Sequence, residues 1–132
     1  MKTLLITTFF WLTAFASYAQ KDDVQPNLDP TQVPAVVMNK FTTAHPGITA
    51  LWKADGENFK AAFNDPATKL GRIIVYDPKG EVLRTDNEVD QNSYPQSIHD
   101  YYNKNYPGEK YQVWSSEETG SNEQLYYSGR NL

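Results

Sequence analysis

One short pattern is written twice in this chain, 61 residues apart, and it restricts the fold more than any other feature. Val33-Pro34-Ala35-Val36-Val37 leads through Phe41 to His45-Pro46-Gly47, and Tyr94-Pro95-Gln96-Ser97-Ile98 leads through Tyr102 to Tyr106-Pro107-Gly108. A Trp follows each copy, Trp52 and then Trp114, the second one residue later than the spacing of the rest. Pro34 and Pro95 suit a first helical turn, where the missing N–H has no partner to lose and the fixed φ is already helical. Val33, Val37, Phe41 and Ala44 fall at helical spacing, as do Tyr94, Ile98, Tyr102 and Asn105. Pro46 and Pro107 stop each helix, and Gly47 and Gly108 permit the chain to reverse. The repeated unit is therefore a helix, a Pro-Gly stop and a strand. Packing and turn residues recur in it; no acid, base, thiol or ligand set does.

Beyond the first Pro-Gly the period changes from helical to alternating. Ile48 to Lys53 reads as a strand, Asp55-Gly56 as a tight turn, and Phe59, Ala61 and Phe63 as one face of the returning strand. Arg72 to Tyr76 and Glu81 to Asp86 flank the turn Asp77-Pro78-Lys79-Gly80. The second copy offers Tyr111 to Ser116 and Glu123 to Ser128 around a polar turn through Gly120. Hairpins joined by short turns imply an antiparallel sheet, and two helices with one apolar stripe each need an apolar face to cover. The expected class is α+β: tandem helix-plus-antiparallel-sheet repeats in the order α-β4-α-β2, with the helices on one face of the sheet. The first repeat spans 32–90 and a truncated second one 93–130.

Lys2, the apolar run from Leu4 to Ala16 and the small residues Ser17 and Ala19 form the pattern of a secretory signal peptide, residues 1–19. The apolar run is shorter than the roughly 20 residues of a spanning helix, so no membrane insertion is expected after cleavage. A periplasmic or secreted location follows. Residues 20–31, with Asp22, Asp23, Pro26, Asp29 and Pro30, read as a flexible leader, and 32–132 as the folded domain. Removing Lys2 with the signal leaves eleven Lys and Arg against sixteen Asp and Glu, which argues against nucleic acid or anionic lipid as a partner. The chain has no Cys, so no disulfide can brace it, and a 14% aromatic content must supply the core.

The helices opening on Pro, the His/Tyr-Pro-Gly stops, the Trp strands, Phe59-Lys60-Ala61-Ala62-Phe63 and Tyr76-Asp77-Pro78-Lys79-Gly80-Glu81-Val82-Leu83 resemble the PepSY-like, or beta-lactamase-inhibitor-like, family of small exported Bacteroidetes proteins. The resemblance covers the chain from about Thr31 onward. It implies tandem helix-plus-sheet repeats and a sheet face that presents aromatic side chains to a protein partner; the function expected on that basis is binding of a protein partner, an envelope hydrolase that it inhibits or modulates being one such partner. No residue string here matches an inhibitory loop.

Alternate strand residues face opposite sides, so Tyr126 and Tyr127 cannot both lie beneath helices, and Ile73 and Val75 part from Ile74 and Tyr76. Trp52, Tyr111, Trp114 and Tyr126 are taken as the partner-binding set, because Trp and Tyr bring large contact area with few rotatable bonds. The competing assignment for each is cross-strand packing. The same patch could join two copies of the chain. His45 stands where the second copy has Tyr106, so it fills a helix end, and His99 points to solvent; neither has the further ligands of a zinc site. Asp86, Asn87, Glu88 and Asp90 lack the Gly and oxygen count of a calcium loop and read as a solvated linker. Ser93 and Ser97 have no nucleophile elbow around them, and Ser93 is placed to cap the second helix. Neither a catalytic residue, nor a metal site, nor a cofactor is expected. The alternative function is binding of a small apolar or divalent-metal ligand in the periplasm.

Overall fold

The computed structural model describes residues 26–130, so the expected signal peptide and most of the expected leader lie outside the described residues. The elements are α1 (Ala35–Ala44), β1 (Leu51–Asp55), β2 (Asn58–Asn64), β3 (Gly71–Tyr76), β4 (Val82–Glu88), α2 (Gln96–Asn105), β5 (Tyr111–Glu118) and β6 (Gln124–Arg130). The six strands form one antiparallel sheet in sequence order. An α+β fold with two helices and a single antiparallel sheet is thus present.

Each helix is delimited by the residues that the sequence marks. Pro34 (φ −54°) and Pro95 (φ −54°) immediately precede α1 and α2, and His45 and Tyr106 close them by donating backbone N–H groups to Phe41 and Tyr102. Gly47 and Gly108 then take φ of 77° and 78°, a left-handed conformation that a Cβ would make costly. A 3₁₀ turn leads into each helix, Pro30–Gln32 capped by Asp29 and Gln91–Ser93 capped by Asp90. Ser93, expected to cap α2, does not: it ends the 3₁₀ turn, whose cap is the Asp90 carboxylate accepting the Asn92 N–H at 2.9 Å, and α2 itself opens at Pro95 with no side-chain cap. The described end of the expected leader docks: Leu28 bridges to Trp52 on β1 and packs against the core. β1 begins at Leu51 and not at Ile48, since the Ile48 N–H is engaged by the His45 carbonyl in closing the reversal.

Following the register from Trp52 through Ala61, Ile74, Thr85 and Glu117 to Gln124 keeps to one face of the sheet. Both helices cover that face. Val33, Val37 and Phe41 meet Trp52, Ala61, Phe63, Ile74 and Tyr76 in the main core. Phe41 sits edge-on to Trp52 at 5.4 Å and to Phe63 at 5.5 Å, the geometry that aromatic quadrupoles favour. Under α2 the core is built from tyrosines: Tyr102 stacks on Tyr111 at 4.0 Å, Tyr94 lies beside Tyr111, and Val113 is fully buried. The Tyr102 hydroxyl donates to Ser128 Oγ on β6, so the polar tip of a buried ring is satisfied. At about 1.5–3 kcal/mol for each fully buried large apolar side chain, this layer supplies the stability that disulfides give other small exported domains.

Candidate functional site

Among the described residues no helix lies on the opposite face, and strand pairing sets which side chains it presents. One row crosses all six strands: Leu51, Ala62, Ile73, Asp86, Ser116 and Leu125. A second row runs Lys53, Lys60, Val75, Arg84 and Glu118. On the other flank Glu88 pairs with Trp114 and Trp114 with Tyr127. Leu51 and Leu125, at 60% and 47% exposed, are the apolar ends of the first row, whose centre holds the buried polar pair Asp86 and Ser116.

Trp114 is held by a close approach. A methyl group at Gly71 would lie 2.6 Å from Trp114 Cη2 and 3.3 Å from Glu88 Oε2, so the indole lies against a strand that has no side chain there. The Gly71 N–H donates to Glu88 Oε2 at 2.8 Å, which fixes the carboxylate next to the ring. Beside it, Asp86 (8% exposed) accepts from Ser116 Oγ at 2.6 Å and from Arg84 Nε at 3.2 Å, while Ser116 itself is 1% exposed. A charge-assisted bond of this kind contributes about 1.5–3 kcal/mol. The expected solvated linker of Asp86, Asn87, Glu88 and Asp90 is corrected by this arrangement. β4 continues to Glu88, and each of the four has a specific partner: Asn87 accepts from Arg72 Nε at 2.9 Å, and Asp90 caps the 3₁₀ turn.

The four residues expected to form one partner-binding set do not share a face. Trp52 is 2% exposed beneath α1, paired with Ala61 and edge-on to Phe41; it is core. Tyr111 lies on the helix side too, stacked under Tyr102. Tyr126 has the same parity as Ser128, toward the helices, yet remains 44% exposed. Trp114 alone of the four is on the helix-free face, joined there by Tyr127, Leu125, Ile73 and Val75. A signal for the split was present in the sequence. The residue 61 after Trp52 is Val113, and a displacement of one residue along a strand turns a side chain to the other face. Val113 fills the core position, and Trp114 is turned outward.

The two histidines have separate surroundings. His45 ends α1 between the rings of Phe41 and Phe63, and burial together with the Arg72 charge lowers its pKa. His99 is exposed on α2, with Nδ1 at 2.8 Å from Asn103 Nδ2. Among the described residues, no three of His, Cys, Asp or Glu converge to hold a metal ion, and no helix is long and apolar enough to cross a membrane. A cleft of about 370 Å³ lies beside the β5–β6 turn, lined by polar residues that include Thr85, Glu117, Thr119 and Asn122.

No protein-family model matches the chain, and no curated protein matches it. Two solved structures do. A candidate periplasmic protein from Bacteroides eggerthii superposes with a TM-score of 0.60 at 10% identity, over 76% of this chain and 73% of its own. A BLIP-like protein from Bacteroides fragilis superposes with a TM-score of 0.53 at 16% identity, over 80% of this chain and 74% of its own. At such identities the likeness is one of fold: the chain shares its overall fold with these two proteins over about three quarters of its length.

Proposed function

We propose that the chain is an exported, non-enzymatic, PepSY-like protein, built of two related helix-and-sheet units, that binds a protein partner through the helix-free face of its sheet. The partner is an envelope protein, a hydrolase that the docked domain restrains or modulates. The observation that carries this reading is Trp114, a large ring laid over Gly71 on the uncovered face with apolar and charged rows beside it. Docking there would remove Trp114, Ile73 and Leu125 from water, and the Lys53, Lys60 and Arg84 row would set orientation by charge. The signal pattern of residues 1–19 and the fold shared with a candidate periplasmic protein support export. The BLIP-like neighbour supports partner binding rather than catalysis. The contact set accordingly centres on Trp114 and leaves out Trp52, Tyr111 and Tyr126, which lie on the helix side of the sheet.

Affinity capture from a native envelope extract, followed by titration of the captured protein against wild type and Trp114→Ala, tests the reading. A saturable complex weakened at least tenfold by the substitution is expected. Equal binding by both forms, or a saturable thermal shift with calcium, zinc or an apolar ligand and no protein complex, would overturn it.

A further inference from the structure

The two edges of the sheet are not treated alike. On β1, the Leu28 N–H donates to the Trp52 carbonyl at 2.7 Å, so the chain's own backbone occupies part of that edge. β6 is the last strand on the other side, and among the described residues no strand follows it. Sheets guard such an edge with proline, an inward charge, a bulge or extreme shortness. β6 has none of these. Gln124–Arg130 runs seven residues, pairs with β5 at seven consecutive positions without a register shift, and carries its one charge at the last residue.

We propose that β6 pairs antiparallel with β6 of a second copy about a two-fold axis at Tyr126, joining two sheets edge to edge. A strand is the occupant that an edge demands, because only an extended backbone returns its alternating N–H and C=O groups. A second copy fits because the strand is self-complementary. With the axis at Tyr126, Gln124 faces Ser128, Leu125 faces Tyr127, and Tyr126 faces its counterpart, so no like charges meet. Arg130 comes opposite Asn122 with Glu123 adjacent, which flanks the pairing with opposite charges. On the helix-free face, Leu125 of one copy extends the Trp114–Tyr127 row of the other. The inference is independent of the partner reading above. An edge of this length buries less than the about 1,000 Å² of a durable interface, so the dimer is weak and concentration-dependent.

The chain has no Cys, which makes single-cysteine variants clean reporters. A two-fold at Tyr126 brings its two Cα atoms to about 4.5–5.5 Å, within disulfide reach. Tyr126→Cys should therefore oxidise to a covalent dimer. Gln124→Cys and Ser128→Cys should each stay monomeric alone and cross-link when mixed. Sedimentation velocity of the protein should show an average mass rising with concentration, and Leu125→Lys, at an exposed site that leaves folding intact, should weaken that association at least tenfold. A protein that stays monomeric to millimolar concentration overturns the proposal. So does equal cross-linking of the 124 and 128 variants alone, or a foreign strand peptide that pairs with β6 while the chain remains monomeric.

Discussion

Replacing Gly71 with alanine tests the geometry of the helix-free face most directly. Gly71 is buried and does not have a positive φ, so its backbone imposes no strain on an alanine. Removing a glycine's freedom from the unfolded chain would by itself stabilise by about 0.4–1 kcal/mol. Against this stands the 2.6 Å approach of Trp114 Cη2, roughly 1 Å inside an ordinary carbon–carbon contact, with Glu88 Oε2 at 3.3 Å closing the other side. Relieving it means swinging the indole away from β3 or shifting the strand, an overpacking cost of about 1–3 kcal/mol. The net expectation is a loss of about 1–2 kcal/mol. Urea unfolding of wild type, Gly71→Ala, Trp114→Ala and the double variant closes a thermodynamic cycle. In the Trp114→Ala background the clash has no partner, so Gly71→Ala should there be neutral or slightly stabilising. An equal loss in both backgrounds would refute the claim that the indole occupies the space above Gly71.

Three further substitutions separate core from face. Trp52→Ala should cost about 3–5 kcal/mol in urea unfolding, several times the loss from the partly exposed Trp114→Ala; comparable losses would place both rings in one environment. Ser116→Ala removes the bond to Asp86 and should cost about 1.5–3 kcal/mol, whereas a neutral result would mean that Arg84 alone satisfies the carboxylate. His45 has its pKa lowered, first by burial and then by Arg72, so protonation favours the unfolded chain. Its stabilising effect is full above the ordinary imidazole value near 6.5 and is lost as pH falls below it. His45→Phe should therefore flatten the fall in urea midpoint between pH 7.5 and about 5 relative to wild type; parallel profiles would remove His45 as the cause.

The helices and hairpins were legible in the sequence because their boundaries are set by local chemistry. Pro34, Pro95, His45-Pro46-Gly47 and Tyr106-Pro107-Gly108 act within a few residues of themselves, and the structure places the helix ends at those residues. The candidate face was only half legible. Strand parity told that neighbouring aromatics must part, but it could not tell which parity meets a helix. That depends on β1 pairing Trp52 with Ala61 and on β5 pairing Trp114 with Glu88, contacts between residues distant along the chain. Asp86 was read as part of a solvated linker, and its pairing with Ser116 was not legible for the same reason: thirty residues separate two partners that hydrogen-bond at 2.6 Å.

The sequence by itself determined the order of elements, the reversals at the Pro-Gly pairs and the reliance on aromatic rings in a chain without Cys. The tertiary structure decided which rings those would be. A one-residue offset between the two Trp positions has no meaning until strands pair. Once β1 and β5 join the same sheet, it turns Trp52 inward beneath α1 and lays Trp114 over Gly71 on the uncovered side.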